Sequence, residues 1–280
     1  MANGVLVFQS DFGNSDGAVS AMHGVANGVK LGMPIYEITH QIPQFNIWEA
    51  SYRLLQAIRF WPDGTVFVSI VDPGVGSDRK AVVAKTADNH YIVTPDNGTL
   101  THVHDAIGIT ELREIDETVN RLPNSGESHT FHGRDIFAYT AARLTANIIS
   151  FEEVGQALPL ESTVCLPLKK SVRKEQALYG NIDILDRPFG NLWTSISRTL
   201  FKEIEATHGD VFEVTIQHGQ RIIYNNRLTY GRSFADLHIG EPLLYVNSLD
   251  NIGIAINQGS FADAYRVGTG TNWTVIIRKI

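Results

Sequence analysis

Over the first 168 residues, short apolar runs alternate with stretches of helical period. Residues 5–8, 36–39, 65–71, 81–85 and 91–94 are compact apolar runs rich in β-branched and aromatic side chains, and each reads as a strand. Between them, Ile47, Ala50, Leu54, Leu55 and Ile58 recur at the spacing of one helical face within residues 46–60. Asn46 sits as N-cap, with Glu49 three positions on. A second helix is expected from Arg134 onward, turning Ile136, Phe137, Ala141, Leu144 and Ile148 inward, and a third over 16–30. Gly24 and Gly28 weaken that third helix unless something packs closely against them. The alternation predicts an α/β domain over residues 1–168, a mostly parallel sheet flanked by helices.

Beyond Pro167 the pattern changes. Residues 169–176 are charged and poor in apolar side chains, and read as a linker. From 177 to 280 the helical period disappears: 179–185, 192–196, 211–217, 221–225, 242–247, 252–256 and 273–280 are short β-like runs separated by Gly, Asn and Asp. They predict an all-β, barrel-like second domain.

Composition narrows the function classes. With 43% hydrophobic and 19% charged residues in 280, the chain can bury a core without metal or disulfide staples. Its net charge is −7 and it has no Lys/Arg-rich run, which argues against a nucleic-acid surface and for a small-molecule partner. A single cysteine, Cys165, excludes an intrachain disulfide and any multi-thiolate metal site. The first apolar run is too short for a secretory leader, and no stretch is apolar for the length of a membrane span. The chain reads as cytosolic.

Candidate chemistry gathers where predicted strands end. Ser10-Asp11-Phe12-Gly13 follows the first, Asp72-Pro73-Gly74-Val75-Gly76-Ser77 the third, and Pro95-Asp96-Asn97-Gly98 another. In open α/β sheets the ligand crevice lies outside the carboxyl ends of the strands, so Asp11 and Asp72 are expected on one rim. Asp96-Asn97-Gly98 reads equally well as a plain turn. Arg79 and Thr130-Phe131-His132-Gly133-Arg134-Asp135 add a permanent cation and a titratable base. Brought together with Asp72, they form a set able to orient and partly deprotonate a water. His132 reads equally as a helix-start histidine bonded to backbone, and Arg134-Asp135 as a structural pair. No phosphate-cradling loop or dinucleotide fingerprint is present. His102-Val103-His104-Asp105, read as a strand, offers a weak metal-site alternative without a third partner. In the β-rich half, Asp186-Arg187-Pro188-Phe189-Gly190-Asn191-Leu192-Trp193 sets two aromatics around a Gly-Asn turn. These suit either a stacked purine or the core of a hairpin.

Taken in order, these motifs resemble one family. They are Ser10-Asp11-Phe12-Gly13, Ile38-Thr39-His40-Gln41-Ile42-Pro43, Val71-Asp72-Pro73-Gly74-Val75-Gly76-Ser77, Pro95-Asp96-Asn97-Gly98, Phe131-His132-Gly133-Arg134-Asp135, Phe189-Gly190-Asn191-Leu192 and Val246-Asn247-Ser248. The family is the S-adenosyl-L-methionine hydroxide adenosyltransferases, relatives of fluorinase and chlorinase. The resemblance implies hydrolysis of S-adenosyl-L-methionine to adenosine and L-methionine, with no cofactor. It also implies a homotrimer whose active sites lie between subunits. By the same resemblance the catalytic trio falls on Asp72, Arg79 and His132, and the ribose-binding carboxylate on Asp11. Adenine contacts fall on Phe189 and Asn191, with Trp193 in the same run, methionine contacts on Asp186 and Ser248, and flanking aromatics on Phe45 and Phe234. By the same resemblance, halogenating relatives have a tyrosine at the position of Asp72 and another aromatic at that of His132, and fluorinase has a long insertion before its Asn-Gly-type loop that this chain lacks. Those differences point away from halogenation. A binding module with little turnover and a halogenase relative remain the alternatives.

Overall fold

The computed structural model describes residues 1–280, which separate into two units, Met1–Leu166 and Pro167–Ile280. In the first, strands β1 (Leu6–Ser10), β2 (Ile35–Thr39), β3 (Val66–Ile70), β4 (Ala81–Thr86), β5 (Tyr91–Pro95), β6 (Ile109–Glu114) and β7 (Ala157–Leu158) form one sheet in the order β2-β1-β3-β5-β4-β6-β7. Pairing is parallel from β2 to β5 and antiparallel from β5 to β7, so five of the seven strands run one way.

Every residue of β1 and β3 is buried, as expected of central strands covered on both faces. The side-chain alternation of the strands then assigns the two faces. Leu6 and Phe8 pack with Met22, Ala26, Phe137 and Ala141, under α1 (Ala18–Val29) and α4 (Tyr139–Thr145). Val7 and Phe67 pack with Leu54, Ile58 and Val103, under α2 (Ile47–Ile58) and α3 (Thr101–Ala106). Asn46 caps α2 as expected, its side-chain oxygen accepting from the Glu49 amide at 3.0 Å.

The second unit holds β8 (Val172–Lys174), β9 (Ala177–Asp186), β10 (Asn191–Ser197), β11 (Val211–His218), β12 (Arg221–Tyr230), β13 (Pro242–Val246), β14 (Asn251–Ile256) and β15 (Gly270–Lys279). Pairing runs β10-β14-β13-β12-β11-β15-β9 and returns from β9 to β10, which closes a seven-stranded barrel. Closure leaves no free edge among these strands. Two short helices, α5 (Arg198–Lys202) and α6 (Phe261–Tyr265), belong to the same unit, and Phe201 and Phe261 enter its core.

Several expectations need correction. The segment read as a linker contains β8, which pairs antiparallel with β9. His102-Val103-His104-Asp105 lies on helix α3, where residues two apart diverge around the axis instead of sharing a face. The helix expected from Arg134 opens as a π-helical turn (Gly133–Ala138), and its last expected core residue, Ile148, lies past the end of α4 and is 55% exposed. Gly24 and Gly28 face open space, with no atom near the position a Cβ would take. No helix is long and apolar enough to cross a membrane.

Candidate active site

The parallel pairing of β1 with β3 brings their carboxyl ends side by side, Ser10 opposite Ile70. Asp11 therefore leaves the sheet beside Asp72, and both line one cleft of 390 Å³ with Phe12, Phe45, Val75, Phe131 and His132. That volume is in the range of small-molecule sites. The two-carboxylate rim expected from the sequence is present.

Asp72 is held by Arg79 at both oxygens: Nε donates to Oδ1 at 3.0 Å and to Oδ2 at 2.9 Å, and Nη2 to Oδ2 at 2.5 Å. The same Nη2 reaches Nδ1 of His132 at 3.0 Å. Arg79 also lies over the Phe137 ring, 5.2 Å from its centroid, and Phe137 is fixed in the core by the π-helical turn that follows His132. π-turns recur at functional sites because they re-aim side chains out of the regular helical ladder. With side-chain exposures of 6% for Asp72 and 10% for Arg79, this ion pair is close to dry and its charge–charge terms are weakly screened. Burial first, then the Arg79 guanidinium, hold His132 below the ordinary imidazole value. His132 is thus neutral at pH 7.

Asp11 is oriented from the opposite wall. Its Oδ2 accepts the Phe45 amide at 2.8 Å, and Phe45 adopts a left-handed φ of 66°, an uncommon conformation for a bulky residue. The Phe45 ring remains 67% exposed on the cleft rim. Beneath the loop, buried Ser10 Oγ meets Nδ1 of buried His40 at 2.6 Å, and Nε2 of His40 reaches Glu37 at 2.5 Å. Arg134 pairs with buried Asp135 at 2.6 Å, so that pair is structural, as one reading of the sequence had it.

In the barrel unit a second cleft of 750 Å³ is lined by Asp186, Phe189, Asn191, Trp193, Phe234, Tyr245 and Ser248, among others. It gathers every site residue expected from the β-rich half. The β9–β10 turn builds its floor: the Gly190 amide bonds to the Asp186 carbonyl at 2.8 Å, and Gly190 has φ of 66°. Asn191 Nδ2 donates to Asp186 Oδ2 at 3.1 Å, fixing the amide, while Trp193 Nε1 donates to the Tyr245 hydroxyl at 3.0 Å. Tyr245 is pushed up to about 12 by burial and stays a neutral phenol. Phe234 stands against Tyr245 with ring centroids 5.0 Å apart, and Phe189 is 67% exposed.

The sequence reading missed three contributors. Tyr245 lies in a strand whose alternation looks ordinary. His40 carries no signal beyond its place in Ile38-Thr39-His40-Gln41-Ile42-Pro43. Arg121, whose Nη2 lies 3.4 Å from Nε2 of His132, occupies a loop with no motif at all. The weak metal alternative gains no geometry: His102 Nδ1 is turned to Ser51 Oγ at 2.9 Å, and no group of three or more His, Cys, Asp or Glu is placed to hold an ion.

A carboxylate–guanidinium–imidazole chain at the rim of an α/β sheet, and an aromatic, amide-bearing cleft on a β-barrel, define a small-molecule enzyme of the α/β-plus-barrel class. The chain belongs to the SAM hydroxide adenosyltransferase family, whose N-terminal domain profile matches residues 6–155 and whose C-terminal domain profile matches 180–274. It is 33% identical to an (R)-S-adenosyl-L-methionine hydrolase of Thermus thermophilus, over 95% of this chain and 96% of that one. A fluorinase of Actinopolyspora mzabensis is 27% identical over 95% of both chains. Among solved structures, an uncharacterized conserved protein from Thermotoga maritima superposes with a TM-score of 0.88 at 34% identity, covering 98% of this chain and all of that one.

Proposed function

We propose that this protein hydrolyses S-adenosyl-L-methionine to adenosine and L-methionine, and that it takes the (R)-sulfonium epimer named for its hydrolase relatives. The observation that carries this reading is the Asp72–Arg79–His132 chain on the wall of the cleft that also holds Asp11.

A sulfonium departs as a neutral thioether, so no acid is needed at sulfur. The site must fix the ribose, hold a water in line with the C5′–S bond and keep the rest dry. Asp11 suits the ribose hydroxyls. The trio holds the water: its oxygen bonds to C5′, the C5′–S electron pair stays on sulfur, and the water's proton passes to an acceptor of the trio. In the barrel cleft, Phe189 and Trp193 offer aromatic faces to adenine, Asn191 an amide to its edge, and Asp186 and Ser248 polar partners for the methionine end. The Asn191 amide is pre-oriented by Asp186, which favours one base edge over others. No cofactor enters the reaction. We further propose a homotrimer in which the α/β cleft of one subunit and the barrel cleft of a neighbour share one substrate.

Incubation with S-adenosyl-L-methionine in excess chloride, with the nucleosides separated by chromatography, tests the reaction class. Adenosine with equimolar methionine is the expected result. 5′-Chloro-5′-deoxyadenosine would make the chain a halogenase, and tight binding without product would make it a binding module.

A further inference from the structure

His132 has a guanidinium against each ring nitrogen. Nδ1 is 3.0 Å from Nη2 of Arg79, and Nε2 is 3.4 Å from Nη2 of Arg121. Guanidinium groups only donate, and a neutral imidazole has one accepting nitrogen, so only one of these contacts can be a hydrogen bond. The Arg79 contact is the shorter, and Arg79 is pinned by three contacts to Asp72. Nδ1 is therefore the acceptor and Nε2 carries the proton.

Arg121 is also fixed in place. Its Nη2 pairs with Glu117 at 3.1 Å, its Nη1 faces the carbonyls of Ser125 and Ser128 at 3.4 and 3.5 Å, and its side chain is 12% exposed. An anchored cation this close opposes a second proton on the ring. The charged and titratable groups around His132 are the cations Arg79 and Arg121, the anions Asp72 and Glu117, and the His129 ring at 6.2 Å.

We propose that Arg121 is a positioning residue that keeps His132 neutral, the shorter Arg79 contact setting the Nε2–H tautomer, which leaves the Asp72 carboxylate, and not His132, to take the proton from the attacking water. This rests on the hydrolase reading for the water, but the state of the ring does not depend on it. With its one lone pair committed to Arg79, His132 has none for a water proton, whereas Asp72 lines the cleft with lone pairs beyond those facing Arg79.

The test is nitrogen NMR of the histidine rings in the full chain without substrate, with His129→Gln and His132→Gln to assign the signals. The wild type should show the Nε2–H tautomer of His132. Arg121→Met should raise the midpoint of His132 by about half a pH unit or more, Arg121→Lys should restore it, and Glu117→Gln should lower it. A structural role alone would not move the two neutral variants in opposite directions. In turnover, Arg121→Met should move the acid limb of kcat upward with KM unchanged. An Nδ1–H tautomer in the wild type, or unchanged midpoints in both Arg121→Met and Glu117→Gln, would overturn the proposal. Since the spectra need no substrate, failure of the hydrolase reading would appear separately, as missing product with the titrations as expected.

Discussion

Asp72 and His132 share Arg79 but differ in what they can replace. Removing the carboxylate charge in Asp72→Asn leaves Arg79 without its anion and the water without an acceptor. We expect kcat to fall by about a hundredfold or more, the scale of a positioned proton acceptor. His132→Gln keeps a donor and an acceptor at the same place and should retain more turnover than Asp72→Asn. Steady-state kinetics on the two variants decides the order. Because burial and Arg79 hold His132 below 6.5, wild-type kcat should be flat through neutral pH and fall only as the pH drops through that lowered value. Protonating Nδ1 there would turn an N–H against Arg79. At this scale the sequence was informative where a residue type and a strand end coincide, as at Asp11 and Asp72. It was silent on Arg121, which acts from an irregular loop that no periodicity or spacing marks.

Among the elements, the β9–β10 turn bears most directly on the barrel cleft. A Cβ on Gly190 would come within 2.6 Å of the Ser260 backbone, and its φ of 66° is one L side chains rarely adopt. Gly190→Ala should cost roughly 1–3 kcal/mol of stability. Because Asp186 and Asn191 flank the turn, it should also raise KM more than it lowers kcat, which denaturant melts and kinetics would show together. Strands β1, β3, β4 and β5 were legible because burial on both faces makes them continuous apolar runs. β6 was not: Ile109-Thr110-Glu111-Leu112-Arg113-Glu114 has too many charges to read as a strand. α3 is six residues long, too short for a helical period to show, and so passed for a strand. β12 continues to Tyr230 through Asn225-Asn226-Arg227, whose exposed polar side chains hid its second half. The π-helical turn after His132 has no sequence signature beyond a helix start.

For the whole molecule, the candidate groups divide between two units, with the cleft of Asp11, Asp72 and His132 in one and the aromatic, amide-bearing cleft in the other. If sites form between subunits of a homotrimer, two inactive variants should complement. Co-expressed Asp72→Asn and Asn191→Ala chains, mixing at random, should recover about a quarter of wild-type activity, since each site takes one half from each of two neighbours. Sites contained within single chains would give no recovery. The central claim, that water attacks C5′, is tested most directly by running the reaction in ¹⁸O-water and weighing the nucleoside. Hydrolysis at C5′ predicts adenosine carrying one ¹⁸O on its 5′ oxygen. Unlabelled adenosine, or label in any other product, would contradict it.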